Sequence, residues 1–163
     1  MPAATEMNFK RLLKNWLPVL VWVGVIFLGS TDLMSAEHTS RFIVPFLGWL
    51  KPDISAETLA SVHVILRKCA HVGEYAVLAL LLLRAATLMT NFKRSIPILC
   101  LSVLGVCLLV AAIDEFHQTF VASRGASVRD IVIDSGGAIL GLLIGSILGM
   151  RRPISLEKAP ADP

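Results

Sequence analysis

The sequence predicts an all-α protein, a four-helix transmembrane bundle with both termini cytoplasmic and a short interfacial segment in its first extracytoplasmic loop. Two observations carry that expectation. The first is composition: of 163 residues, 55% are hydrophobic and 17% charged, against about 25% charged in a soluble domain. The apolar residues fall in long blocks, with a mean hydropathy of +0.73, and so read as bilayer spans. Four spans of about 20 residues each take up roughly half the chain, which leaves one compact helical unit and no second folded domain. The second observation is where the basic residues stand. The formal charge of +3 comes from Lys and Arg grouped beside the apolar blocks, a placement that orients a membrane protein and makes no nucleic-acid surface.

Residues 1–15 form a polar cytoplasmic segment carrying Lys10, Arg11 and Lys14. The apolar run Trp16 to Gly29 follows and ends at Ser30-Thr31-Asp32. A basic start before a short apolar core also suits a signal peptide, but Leu28-Gly29-Ser30 and Met34-Ser35-Ala36 are poor small-x-small cleavage sites. An uncleaved first span is therefore expected. The long connection from Thr31 to Leu59 contains an apolar stretch, Arg41 to Leu50, interrupted by Pro45. It is too short to cross a bilayer and suits a segment lying in the interface or capping the bundle.

The second helix is expected from about Leu59 to Met89, the third from Ile96 to about Phe120, and the fourth from Val128 to about Gly149. Between the last two, Gly125 marks a turn, and Ser127 with Asp130 has the spacing of a capping box, in which the hydroxyl and the acid satisfy free N–H groups at a helix start. Arg151-Arg152-Pro153 stops the fourth helix. Residues 16–150 thus make the membrane domain, and 151–163 read as a disordered cytoplasmic tail. Lys10, Arg11, Lys14, Arg84, Lys93, Arg94, Arg151, Arg152 and Lys158 all fall on one side, whereas the long first loop carries only Arg41 and Lys51, with Arg124 and Arg129 of the turn before the fourth helix as the exception on the outside. Positive charge stays inside, so both termini are expected in the cytoplasm.

Cys69, Cys100 and Cys107 lie in or beside spans with no CxxC among them, and read as small apolar packing residues rather than disulfide partners or metal ligands. Trp16, Trp22 and Trp49 read as interface anchors. The informative stretch is Ala111 to Asp134, which holds Asp114, Glu115, His117, Gln118, Arg124, Arg129, Asp130 and Asp134. Ionisable groups in a span are costly and face a partner or a wet cavity. Lys68, His71, Glu74 and Tyr75 share one side of the second helix by their spacing. In this topology three helices bring their polar residues to the same outer third of the bilayer. Gly137, Gly141 and Gly145 continue the Asp130–Asp134 stripe, a small-residue face of the kind that lets helices approach closely.

Lys68-Cys69-Ala70-His71-Val72-Gly73-Glu74-Tyr75, Asp114-Glu115-Phe116-His117-Gln118, and Ser123-Arg124-Gly125 leading through Val128-Arg129-Asp130 to Asp134 and Gly137 together resemble the VanZ family of small bacterial membrane proteins. With Ser30 ending the first span, the resemblance covers roughly Phe27 to Gly149. It implies a multi-pass protein of the bacterial cytoplasmic (inner) membrane. The implied role is like that of the family's named member, low-level resistance to the glycopeptide teicoplanin.

Three readings of the polar residues stand side by side. Lys68, His71, Glu74, Asp114 and Glu115 can form a structural network that fixes helix packing, since mixed signs neutralise one another. Lys68, His71, Glu74, Asp114, Glu115, Gln118, Arg124, Asp130 and Asp134 can instead line a pocket for the head group of a membrane lipid or a lipid-linked cell-wall precursor. In that pocket Lys68 and Arg124, with Arg129, would meet phosphate. A catalytic reading pairs His71 with Glu115 or Glu74 as acid and base, in an enzyme acting on an envelope lipid. It lacks a nucleophile motif of the GxSxG kind. HExxH and the ExxH of di-iron bundles are also missing, so neither a metal nor another cofactor is expected.

Overall fold

The structure is a computed structural model that describes residues 2–31, 36–50, 53–89, 96–121 and 127–149. Every regular element among them is helical. The helices are α1 (Pro2–Gly29), α2 (Ala36–Leu50), α3 (Ala56–Met89), α4 (Ile96–Gln118) and α5 (Val128–Ile147). Four are long and apolar enough to cross a membrane, over Phe9–Gly29, Ala56–Leu88, Ile96–Gln118 and Val128–Ile147. The expected four-span bundle is present, and its core elements begin and end within a few residues of their sequence positions. The segment before the first span is helical from Pro2 onward and continuous with the span. The tail beyond Gly149 and the basic turn with Lys93 and Arg94 lie outside the described residues.

Polar contacts between helices fix their directions. Arg11 donates to the Leu88 carbonyl at 3.0 Å, and the Trp22 indole N–H to the Glu74 carbonyl at 2.9 Å. As numbers rise on α1 they fall on α3, so these two run antiparallel. Arg11 thereby caps a free carbonyl in the last turn of α3, a position where the helix dipole favours a cation. Trp22 is half-buried and bonded to a neighbouring helix, so it also packs the bundle. α4 runs with α1, and α5 runs with α3.

Helix α3 is the centre: α5 packs along it most extensively, with α1 and α4 beside it. The core is built from Val19 and Ile26 of α1, Tyr75, Leu78, Ala79, Leu82 and Leu83 of α3, Leu99, Val103, Cys107 and Ala111 of α4, and Ala138 and Leu142 of α5. Cys107 is buried among them and all three cysteines are free. The outward faces carry Leu20, Leu101, Leu109 and Val132, all exposed, as a lipid-facing bundle requires.

The α3–α5 contact is tight because α5 presents glycine there. A Cβ built on Gly137 would stand 2.5 Å from the Val72 carbonyl oxygen, and one on Gly141 would collide with the backbone of Ala76. Val72 opposite Gly137 and Ala76 opposite Gly141 give one register, rising together, in which the two backbones touch. Removing side-chain bulk lets dispersion between backbones replace the hydrophobic drive that lipid does not supply.

Helix α2 has 15 residues, about 22 Å at 1.5 Å per residue, short of the ~30 Å hydrocarbon core. Pro45 lies inside it. The proline removes one hydrogen bond without ending the helix, so the interruption read from the sequence is not a break. Ser40 on α2 and His63 on α3 approach to 3.4 Å, which places α2 near the first turns of α3, beyond the bundle proper.

Candidate functional site

Asp114 is the innermost node. It sits one turn before the end of α4 and is fully buried. Ser30, just past the end of α1, donates its hydroxyl to Asp114 Oδ2 at 2.7 Å. Gln118, four residues along α4 and so on the same face, donates to the same oxygen at 3.0 Å and to Ser30 Oγ at 3.3 Å. Two helix ends are pinned to one carboxylate oxygen, and its other oxygen, Oδ1, has no hydrogen-bond partner among the described residues.

The start of α5 departs from the capping box its sequence suggests. Ser127 is the N-cap, its hydroxyl accepting the Arg129 N–H at 3.2 Å. Asp130 does not turn back to the Ser127 N–H. Its Oδ1 takes the Lys68 ammonium at 3.0 Å, a charge-assisted bond stronger than the one to a neutral amide. The Ser127 N–H thus left free is taken by Glu115 Oε2 at 2.7 Å. Glu115 closes the α4–α5 hairpin from the opposite helix, doing what the local acid would have done.

Between these two groups lie His71 and Asp134. His71 Nδ1 stands 3.2 Å from Asp134 Oδ1, both side chains almost wholly buried, yet neither atom is aligned for a hydrogen bond. The contact is one of proximity and charge rather than a formed bond. Tyr75, one turn further along α3, is 0% exposed and its hydroxyl has no partner among the described residues. Together Tyr75 Oη, His71 Nδ1, Asp114 Oδ1, Glu115 Oε1 and both Asp134 oxygens are buried and make no hydrogen bond among the described residues, His71 Nδ1 and Asp134 Oδ1 facing each other as an ion pair.

Lys68, His71, Asp114, Glu115, Gln118, Asp130 and Asp134 are therefore brought to one end of the bundle by three helices, as the sequence spacing suggests. Glu74 lies half-buried on α3 beside α1; a Cβ added to Gly29 would stand 3.2 Å from its Oε1. Arg129 is exposed, and only its backbone N–H enters the cap described. Arg124 lies outside the described residues. The acid–base pairing of His71 with Glu115 has no counterpart in the contacts: the nearest carboxylate described for His71 is that of Asp134, and Glu115 serves Ser127. Among the described residues no group of three His, Cys, Asp or Glu side chains is arranged to hold a metal ion.

Sequence reasoning left out Ser30 and Tyr75 as site residues. Ser30 is a polar residue at the end of an apolar run, which signals a boundary more readily than a ligand. Tyr75 already sits in the Lys68–His71–Glu74 stripe, and its position seven residues after Lys68 is the signal that could have found it. A family model described as VanZ/LLP1 matches residues 15–149 of the chain, a range that takes in three of the four spans whole, most of the first, and every residue of this cluster. Neither the curated proteins nor the solved structures give a match.

Proposed function

The chain belongs to the VanZ/LLP1 family, and on that premise we propose that it is a non-enzymatic cell-envelope factor of the glycopeptide-resistance kind. Its polar cluster, on the extracytoplasmic side, would hold the head group of a membrane lipid or lipid-linked wall precursor and reduce capture of that molecule by a lipoglycopeptide such as teicoplanin. The single observation that carries the reading is the set of buried, unbonded polar atoms on Tyr75, His71, Asp114, Glu115 and Asp134. A network kept only to pack helices would satisfy its members. One that leaves Tyr75 Oη, Asp114 Oδ1, Glu115 Oε1 and Asp134 Oδ2 without a partner among the described residues is better matched to a ligand that completes it.

Glu115→Gln tests this. The amide oxygen can still accept the Ser127 N–H, so the hairpin is kept, while the charge and one open acceptor are removed. The variant should reach wild-type levels in the membrane, retain less lipid or precursor on purification, and protect the host less against teicoplanin. Poor accumulation with an early melt would instead assign Glu115 to packing alone. Multiple turnover of a labelled lipid by the purified protein would replace the binder with an enzyme, since a binder only saturates.

A further inference from the structure

The open cluster is one-sided. Among the described residues, Asp114 Oδ1, Glu115 Oε1 and both Asp134 oxygens are acceptors without a hydrogen bond, and the groups facing them are the Tyr75 hydroxyl and the His71 ring, which already stands 3.2 Å from Asp134 Oδ1. Lys68, the one Lys among the described residues of the site, is engaged by Asp130. A phosphate brings further acceptors and would meet carboxylates. An ammonium brings three N–H donors and a positive charge. The site already holds one example of that match, the Lys68 ammonium on Asp130 Oδ1 at 3.0 Å.

Resting on the head-group reading above, we propose that the group this site takes is a primary ammonium, carried by an aminated lipid such as phosphatidylethanolamine or by a free amine, with the Tyr75 hydroxyl and the Asp114 and Asp134 carboxylates as its acceptors. The acids alone would not single out a ligand. Tyr75 does: it is 0% exposed, its hydroxyl has no partner among the described residues, and it stands one turn along α3 from His71, whose ring meets Asp134 at 3.2 Å. A tyrosine kept only for its ring could be phenylalanine at no loss. The acceptors are buried in this conformation.

The experiment uses the full-length protein in detergent. It is offered an equal mixture of phosphatidylethanolamine, phosphatidylcholine and phosphatidylglycerol with matched acyl chains, repurified, and its retained lipid weighed by mass spectrometry. Phosphatidylethanolamine should be enriched several-fold over both others. Phosphatidylcholine shares the charge but has no N–H, so equal retention of the two overturns donation to the carboxylates. Preference for phosphatidylglycerol overturns the ammonium while leaving the head-group function standing, and retention of no lipid overturns both. A second arm adds free ethanolamine in large excess: displacement of the lipid shows that the amine alone is recognised, and persistence overturns the free amine as a source, leaving the lipid-borne ammonium to stand or fall on the lipid comparison. Tyr75→Phe should cut phosphatidylethanolamine retention about three- to tenfold, the value of one hydrogen bond, while thermal unfolding stays the same or rises. Unchanged retention in that variant overturns the role of the hydroxyl. The lipid comparison on the wild type needs no variant to fold.

Discussion

At the scale of single residues, the cluster shows how position decides what an acid does. Asp130 is three residues past an N-cap, where local chemistry offers it a backbone N–H, and it bonds Lys68 instead. Glu115 is twelve residues before Ser127 and supplies the bond that Asp130 forgoes. Ser30→Ala is the sharpest probe of this level. It removes the shortest bond to Asp114 and leaves the carboxylate with Gln118 alone. A loss of about 1–3 kcal/mol is expected, read as a lower midpoint in thermal unfolding of the detergent-solubilised protein. Ser30→Thr keeps the hydroxyl and should recover most of it. No change in the alanine variant would show that Asp114 does not depend on α1.

At the scale of elements, α5 is held by its glycines, and two of them predict opposite outcomes. A Cβ at Gly141 collides with the Ala76 backbone, which cannot swing aside, whereas one at Gly136 meets nothing within 4 Å. Gly141→Ala should force the helices apart and destabilise by about 1–3 kcal/mol. Gly136→Ala should be neutral or stabilise by about 0.5–1 kcal/mol through backbone entropy. Equal melting of the two variants would mean that the seam is not closed. Helix number, the spans and the glycine face were legible in the sequence because they depend on hydropathy and on spacing along one helix. The pairings Asp130–Lys68 and Glu115–Ser127 were not, because each depends on how far one helix has slid past another. A periodic pattern does not record that offset. The helical nature of residues 2–15 was hidden for a different reason: polarity says that a segment is outside lipid, not that it leaves the helix.

For the whole molecule, the cluster lies where α1 and α4 end and α5 begins, and charge asymmetry proposes that this end faces outward. A cysteine introduced at Ser40, in a background lacking Cys69, Cys100 and Cys107, should react with an impermeant maleimide in intact cells. One at Ser95 should react only after lysis. The reverse pattern would put the cluster on the cytoplasmic side and remove any encounter with an extracellular glycopeptide.

The parallel α3–α5 seam also constrains how the chain can be made. Lys68 and Asp130 are 62 residues apart, and all of α4 is synthesised between them. α4 has the highest hydropathy of the four spans, 2.8, against 1.6 for α5, so α4 can leave the translocon despite Asp114 and Glu115. α5 emerges last and brings Asp130 and Asp134 in its first two turns, where an acid costs less than the ~2.5–3.5 kcal/mol of a mid-membrane one but still favours a partner. α5 is therefore expected to insert with help from α3, which offers Lys68, His71 and the groove over Val72 and Ala76. In a glycosylation-reporter assay, α5 alone should insert poorly and α3–α4–α5 well. Lys68→Ala with Gly137→Leu should drop the three-helix fusion toward the level of α5 alone, making the last span a nascent segment that enters the membrane only on the arm of an earlier one.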